Sequence, residues 1–130
     1  MKKILIVDDE PNIVMSLEYI FKKENYKVFI ARDGAEAIEI AVANLPDIIL
    51  LDIMMPNVDG YQVLNYLKSS KELNEIKVIF LSAKNKISDI ELGLQLGADK
   101  YISKPFSSFD KIVCGFLYHF KLSDCSFQNS

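Results

Sequence analysis

Five short apolar runs, at positions 4–7, 28–31, 48–51, 78–81 and 101–102, are separated by segments whose apolar residues return every three or four positions. A near-continuous apolar run suits a strand covered on both faces, and the helical period between runs supplies the covering layers. Strand and helix in alternation is the sequence order of a parallel sheet built from crossover units. The stripes are Ile13, Val14, Leu17, Ile20 and Phe21, then Ala37, Ile38, Ala41 and Val42, then Val63, Leu64 and Leu67. Ile87, Ile90 and Leu94 form a weaker fourth, with Gly97 as its C-terminal cap, and Ile112, Val113, Phe116 and Phe120 form a fifth.

At 130 residues the chain has the length of one domain with one core and no room for a separate effector. The expected unit spans residues 1–121, with 122–130 as a frayed tail. A net charge of -3 supplies no electrostatic attraction to nucleic acid or to an anionic membrane. After Met-Lys-Lys only four apolar residues precede Asp8, whereas a secretory core needs about seven to fifteen and a membrane span about eighteen. The expectation is a cytoplasmic chain, with Cys114 and Cys125 as reduced thiols.

Polar residues cluster where the strands end: Asp8 and Asp9 after the first run, Asp52 at the end of the third, Ser82 after the fourth and Lys104 after the fifth. In an open parallel sheet the carboxyl ends of all strands share one edge, so these groups converge. Each has a plain structural explanation by itself. Asp8, Asp9 and Glu10 precede Pro11 and would serve as caps for the first helix. Asp52 would serve in a turn, Ser82 in a loop and Lys104 at the solvated surface. Four coincidences at one edge are a weaker account than one site.

Carboxylates gathered within several ångströms repel one another by about 4 kcal/mol per pair at 4 Å and an effective dielectric near 20. Lys104 offsets part of that repulsion, and the rest suits a hard divalent cation. Mg²⁺ takes one or two carboxylates, waters and a phosphate oxygen, which fits a shallow acidic edge better than Ca²⁺ does. An aspartate beside such an ion and a lysine has the means to accept a phosphoryl group as an acyl phosphate.

The segments ILIVDDE, LLDIMMPNVDG, IFLSAK and GADKYISKPF resemble, in order and spacing, the receiver domains of two-component response regulators, over about residues 2–109. The resemblance implies a flavodoxin-like, three-layer, doubly wound α/β fold with a five-stranded parallel sheet in the order 2-1-3-4-5. It implies that Asp52 accepts the phosphoryl group, that Asp9 and the backbone carbonyl of Met54 bind Mg²⁺ directly and that Asp8 binds it through water. It makes Ser82 the hydroxyl that reorients onto the phosphoryl group, Lys104 its salt-bridging cation and Tyr101 the aromatic switch. It also implies a cis peptide bond between Lys104 and Pro105. The implied donor is the phosphohistidine of a sensor histidine kinase or phosphotransfer protein. The implied output is a shift in the surface of the fourth helix, fifth strand and fifth helix, read by a downstream protein or by a homodimer.

Two features depart from the family pattern. Met54 is apolar where some relatives carry an amide or carboxylate side chain near the acyl phosphate, which predicts a comparatively long-lived phosphorylated state. The fifth helix, IVCGFLYHF, is apolar nearly all round and interrupted by Gly115. One reading is a helix covered by a partner. The other is that residues after about Ser108 belong to a divergent or shifted reading frame and pack poorly. His119, the sole histidine, reads as a helix-end residue.

The residues therefore predict a switch more than an enzyme, acting through protein contacts without an attached effector. A phosphate-ester hydrolase is one rival, but the dehalogenase-type enzymes place a second aspartate where Met54 stands. A binding module without phosphorylation is the other, and the full acidic set with Lys104 speaks against it.

Overall fold

In a computed structural model of the chain, the structure describes residues 2–53, 60–82 and 87–103. Met54, Lys104, the Lys104–Pro105 bond, the fifth helix, Cys114, His119, Cys125 and the boundary at residue 121 lie outside the described residues. Nine elements alternate: β1 (Lys3–Val7), α1 (Pro11–Lys23), β2 (Lys27–Ala31), α2 (Gly34–Asn44), β3 (Ile48–Asp52), α3 (Gly60–Ser69), β4 (Lys77–Ser82), α4 (Ile87–Gln95) and β5 (Lys100–Ser103). The five strands form one sheet in the expected order, β2-β1-β3-β4-β5, and every pairing is parallel.

Because successive side chains of a strand point to opposite faces, each apolar run feeds two cores. Leu5, Val7, Ile49, Leu51, Val78 and Phe80 pack with Ala37 and Ala41 of α2 and with Val63, Leu64 and Leu67 of α3. Ile4, Ile6, Ile48, Leu50, Ile79 and Leu81 pack on the other face with Leu17 and Phe21 of α1 and with Tyr26. The near-continuous apolar runs follow from this arrangement, since every position of β3 is buried.

Two stripe assignments need correction. Val42, placed on the inner face of the second helix, is 49 % exposed, because Ala37 and Ala41 already form the contact with the sheet. Leu94 is 45 % exposed, and Leu92 and Leu96 are similarly open. The buried residue of this stretch is Gly93, and Leu92 and Leu94 lie about 100° to either side of it on the helix. Gly97 does close α4: its φ is +112°, and the Ala98 N–H donates to the Gly93 carbonyl.

At the amino ends of the strands, two aspartates tie the chain to the sheet. Asp47 accepts from the Lys3 N–H at 2.8 Å, and Asp99 accepts from the Val78 N–H at 2.8 Å. Their carboxylates satisfy ladder donors just where β3 and β5 are entered, so these acids belong to the scaffold. The remaining aspartates near strands sit at the opposite edge.

Candidate phosphoryl and metal site

The register brings the acidic residues together. Val7 is the partner of Leu51 across β1 and β3, so the next residues, Asp8 and Asp52, stand side by side at the carboxyl edge. Across β3 and β4, Asp52 is paired with Leu81, and Ser82 is the following residue. Ser82 is in turn the partner of Ser103, the last residue of β5, and Tyr101 is paired with Phe80 one strand over. The edge thus reads Asp8, Asp52, Ser82 and Ser103, with Lys104 next in sequence. Of Ser82 and Tyr101 the structure describes the backbone position; Ser82 is the final residue of its strand.

Asp8 and Asp52 are 1 % and 4 % exposed. A carboxylate buried to that degree needs donors or cations around it. For Asp8, Oδ1 accepts from the Glu10 N–H at 2.9 Å, and the Asp8 N–H donates to the Ala31 carbonyl at 3.2 Å. These bonds anchor the turn between β1 and α1 to β2 and aim the next two side chains outward, where Asp9 and Glu10 are exposed.

Capping does not account for these acids. Glu10 is the N-cap of α1, with Pro11 as the first helical residue, yet its side chain makes no capping hydrogen bond and the first turn carries no acid. By contrast, Asp33 caps α2 by accepting from the Glu36 N–H at 2.9 Å. The aspartate at the start of α2 thus makes the capping bond that Glu10 does not make at the start of α1.

Carboxylate oxygens of Asp8, Asp9 and Glu10 all lie within 4.8 Å of one another. Three hard oxygen donors at that spacing fit a divalent cation such as Mg²⁺ or Mn²⁺ and would repel one another at neutral pH without one. The sequence pattern alone gives Glu10 a capping role; the signal that places it in this group is its position in the unbroken Asp-Asp-Glu run. Asp52 stands beside Asp8 at the end of the adjacent strand and is not one of these three.

A second feature without a sequence prediction lies at the exit of β3. The Gly60 N–H donates to the Ile53 carbonyl at 3.0 Å, so the first residue of α3 touches the residue after Asp52.

The family model for the response regulator receiver domain matches residues 4–113. Over 106 residues the chain is 45 % identical to the alkaline phosphatase synthesis transcriptional regulatory protein PhoP of Bacillus subtilis, which covers 82 % of this chain and 43 % of that protein. The chain thus spans less than half the length of this curated relative. The receiver domain of the Francisella response regulator 1452 is 31 % identical, with a TM-score of 0.81, over 95 % of this chain and all of that one. The Mn²⁺-bound form of response regulator Rcp1 is 26 % identical, with a TM-score of 0.80, over 92 % of this chain and 94 % of that one.

Proposed function

The chain belongs to the response regulator receiver domain family, and from that premise we propose that it is switched by transfer of a phosphoryl group onto Asp52 in the presence of Mg²⁺. Receiver domains serve as phosphorylation-dependent switches and not, in general, as enzymes. The observation that carries the assignment of Asp52 is its position: a buried carboxylate at the end of the central strand, one register step beyond the Val7–Leu51 pair and beside Asp8. Its strand fixes the backbone while leaving the carboxylate at the edge where the sheet stops.

In this reading Asp9, Asp52 and the Met54 carbonyl would hold Mg²⁺ directly and Asp8 would hold it through water, with Glu10 in the same acidic group as Asp8 and Asp9. Mg²⁺ held there would supply positive charge to offset that of the phosphoryl oxygens. An oxygen of the Asp52 carboxylate attacks phosphorus, the P–N bond of the donor phosphohistidine breaks, and the departing imidazole keeps the electron pair. Lys104 balances the charge gained and Ser82 donates to a phosphoryl oxygen. The new group adds about -1.5 to -2 charges to the edge. Ser82 and Tyr101 lie on the adjoining strands β4 and β5, which supports a population shift read out on the surface of the fourth helix, fifth strand and fifth helix. Such a surface serves a downstream protein or a second copy of the chain.

The unit so described is residues 1–121, with 122–130 as a tail, acting in the cytoplasm with a sensor histidine kinase or phosphotransfer protein as donor. Among the described residues no helix is long and apolar enough to cross a membrane.

Incubation with phosphoramidate, with and without Mg²⁺, followed by intact mass tests the reading. The expected result is a gain of one phosphoryl group that requires Mg²⁺. Rapid release of phosphate without a stable adduct would instead indicate a hydrolase, and an unchanged mass would indicate a binding module.

A further inference from the structure

The geometry points to Gly60 as a positioning residue for the phosphoryl-accepting carboxylate: the absence of a side chain there lets the start of α3 press on the Asp52–Ile53 peptide and hold it against β4. This inference rests on the assignment of Asp52 above. A Cβ built on Gly60 would stand 2.7 Å from the Ile53 Cα and 2.8 Å from the Asp52 carbonyl oxygen. Both are backbone atoms, so no side-chain rotation relieves the contact. In a trans peptide the carbonyl and the N–H point to opposite sides. Here the Asp52 carbonyl faces Gly60, while the Ile53 N–H faces β4 and donates to the Leu81 carbonyl at 3.4 Å, a long bond at the end of the ladder. The peptide is therefore held weakly from the β4 side and by direct backbone contact from the α3 side. The Gly60 N–H bond to the Ile53 carbonyl at 3.0 Å closes the same contact.

Asp52 is 4 % exposed, so a displaced peptide has no free space in which to move without carrying the carboxylate along. Adding one methyl group at Gly60 should then shift the carboxylate away from Asp8 while leaving the two cores, which lie further down the strands, intact. Gly97 provides the comparison. Its φ of +112° makes Gly97→Ala strained, but it precedes β5 at the opposite edge, where the atoms near a new Cβ belong to the Lys68 side chain.

The test compares wild type, Gly60→Ala and Gly97→Ala in the full chain. Three quantities are read: unfolding midpoint in urea, Mn²⁺ affinity by electron paramagnetic resonance, and the dependence of the phosphorylation rate on phosphoramidate and Mg²⁺. The inference predicts that Gly60→Ala weakens Mn²⁺ binding and lowers the maximal phosphorylation rate at least tenfold each. It predicts that Gly97→Ala lowers the urea midpoint while leaving both within twofold of wild type. Equal metal affinity and rate in folded Gly60→Ala and wild type would overturn it, as would matched losses in both variants. If Gly60→Ala does not fold, amide hydrogen exchange on wild type decides: Mg²⁺ should slow exchange of the Gly60 N–H several-fold, and an unchanged rate with metal bound overturns the inference. A wild type that neither binds Mn²⁺ nor gains a phosphoryl group would instead overturn the assignment of Asp52 on which this rests.

Discussion

Asp8 and Asp52 stand side by side at the carboxyl edge of the sheet, one register step beyond the Val7–Leu51 pair, and both are buried. Parallel pairing makes this juxtaposition unavoidable once the two apolar runs are aligned. The negative charge is then completed by Asp9 and Glu10, whose carboxylates lie within 4.8 Å of Asp8 and of each other. An acidic edge of this kind stabilises a bound cation at the expense of the metal-free fold.

Asp9→Asn follows from that balance. Asp9 is exposed, so each like-charge contact it makes is worth about 1 kcal/mol or less in water. Without divalent metal the variant should be more stable than wild type by about 1 kcal/mol in urea unfolding. At Mg²⁺ a hundredfold above the wild-type dissociation constant, wild type should gain about 2.7 kcal/mol and the variant much less.

Tyr26 gives a pH-dependent prediction. Among the described residues its buried hydroxyl has no hydrogen-bond partner, and burial, followed by the charges of Glu24 and Asp47, pushes its pKa up to about 12. The folded state therefore favours the neutral phenol. That contribution is complete below pH 10, where the unfolded tyrosine is also neutral, and is lost as pH rises from 10 through 12. Tyr26→Phe should match or exceed wild-type stability at pH 7, by up to about 1 kcal/mol. It should also flatten the loss of stability between pH 10 and 12. A steeper alkaline loss in the variant would contradict the assignment.

Leu45 ends α2 in the left-handed region, with φ 48° and ψ 64°, and is 52 % exposed. Glycine relieves the clash between Cβ and the backbone there, while little packing is given up. Leu45→Gly should raise stability by about 1 kcal/mol in urea unfolding, with phosphorylation unchanged.

Asp99 holds the entry to β5 by accepting from the Val78 N–H at 2.8 Å. Asp99→Ala leaves that donor without its partner and should cost about 1–3 kcal/mol. Asp99→Asn keeps an acceptor oxygen and should cost less. Neither should change the Mg²⁺ dependence of phosphorylation, because Asp99 lies at the edge opposite Asp52.

The sheet was legible because burial on both faces leaves an unambiguous mark: every residue from Ile48 to Leu51 is apolar and buried. Strand ends were less so. Lys3, Lys27, Lys77 and Ser82 belong to strands, since ladder hydrogen bonds use the backbone and continue past the last apolar side chain. Helix faces depended on how wide a stripe the packing needs. Leu17 and Phe21 were evident, whereas small Ala37 and Ala41 suffice for α2 and leave Val42 outside. At the site, Asp8 and Asp52 were legible from their place after apolar runs. The place of Glu10 in the acidic group is hidden by a capping motif that its side chain does not complete, and the close approach of Gly60 to the Asp52–Ile53 backbone leaves no trace in composition because it joins atoms distant in sequence.

The central claim is that the carboxylate of Asp52, and no other, takes the phosphoryl group. Protein phosphorylated with phosphoramidate and Mg²⁺ can be reduced with borohydride, which converts an aspartyl phosphate to homoserine, and the modified position read by peptide mass spectrometry. The account predicts homoserine at position 52 alone and none without Mg²⁺. Homoserine at position 8 or 9, or a phosphoryl group that survives on a serine or on His119, would contradict it.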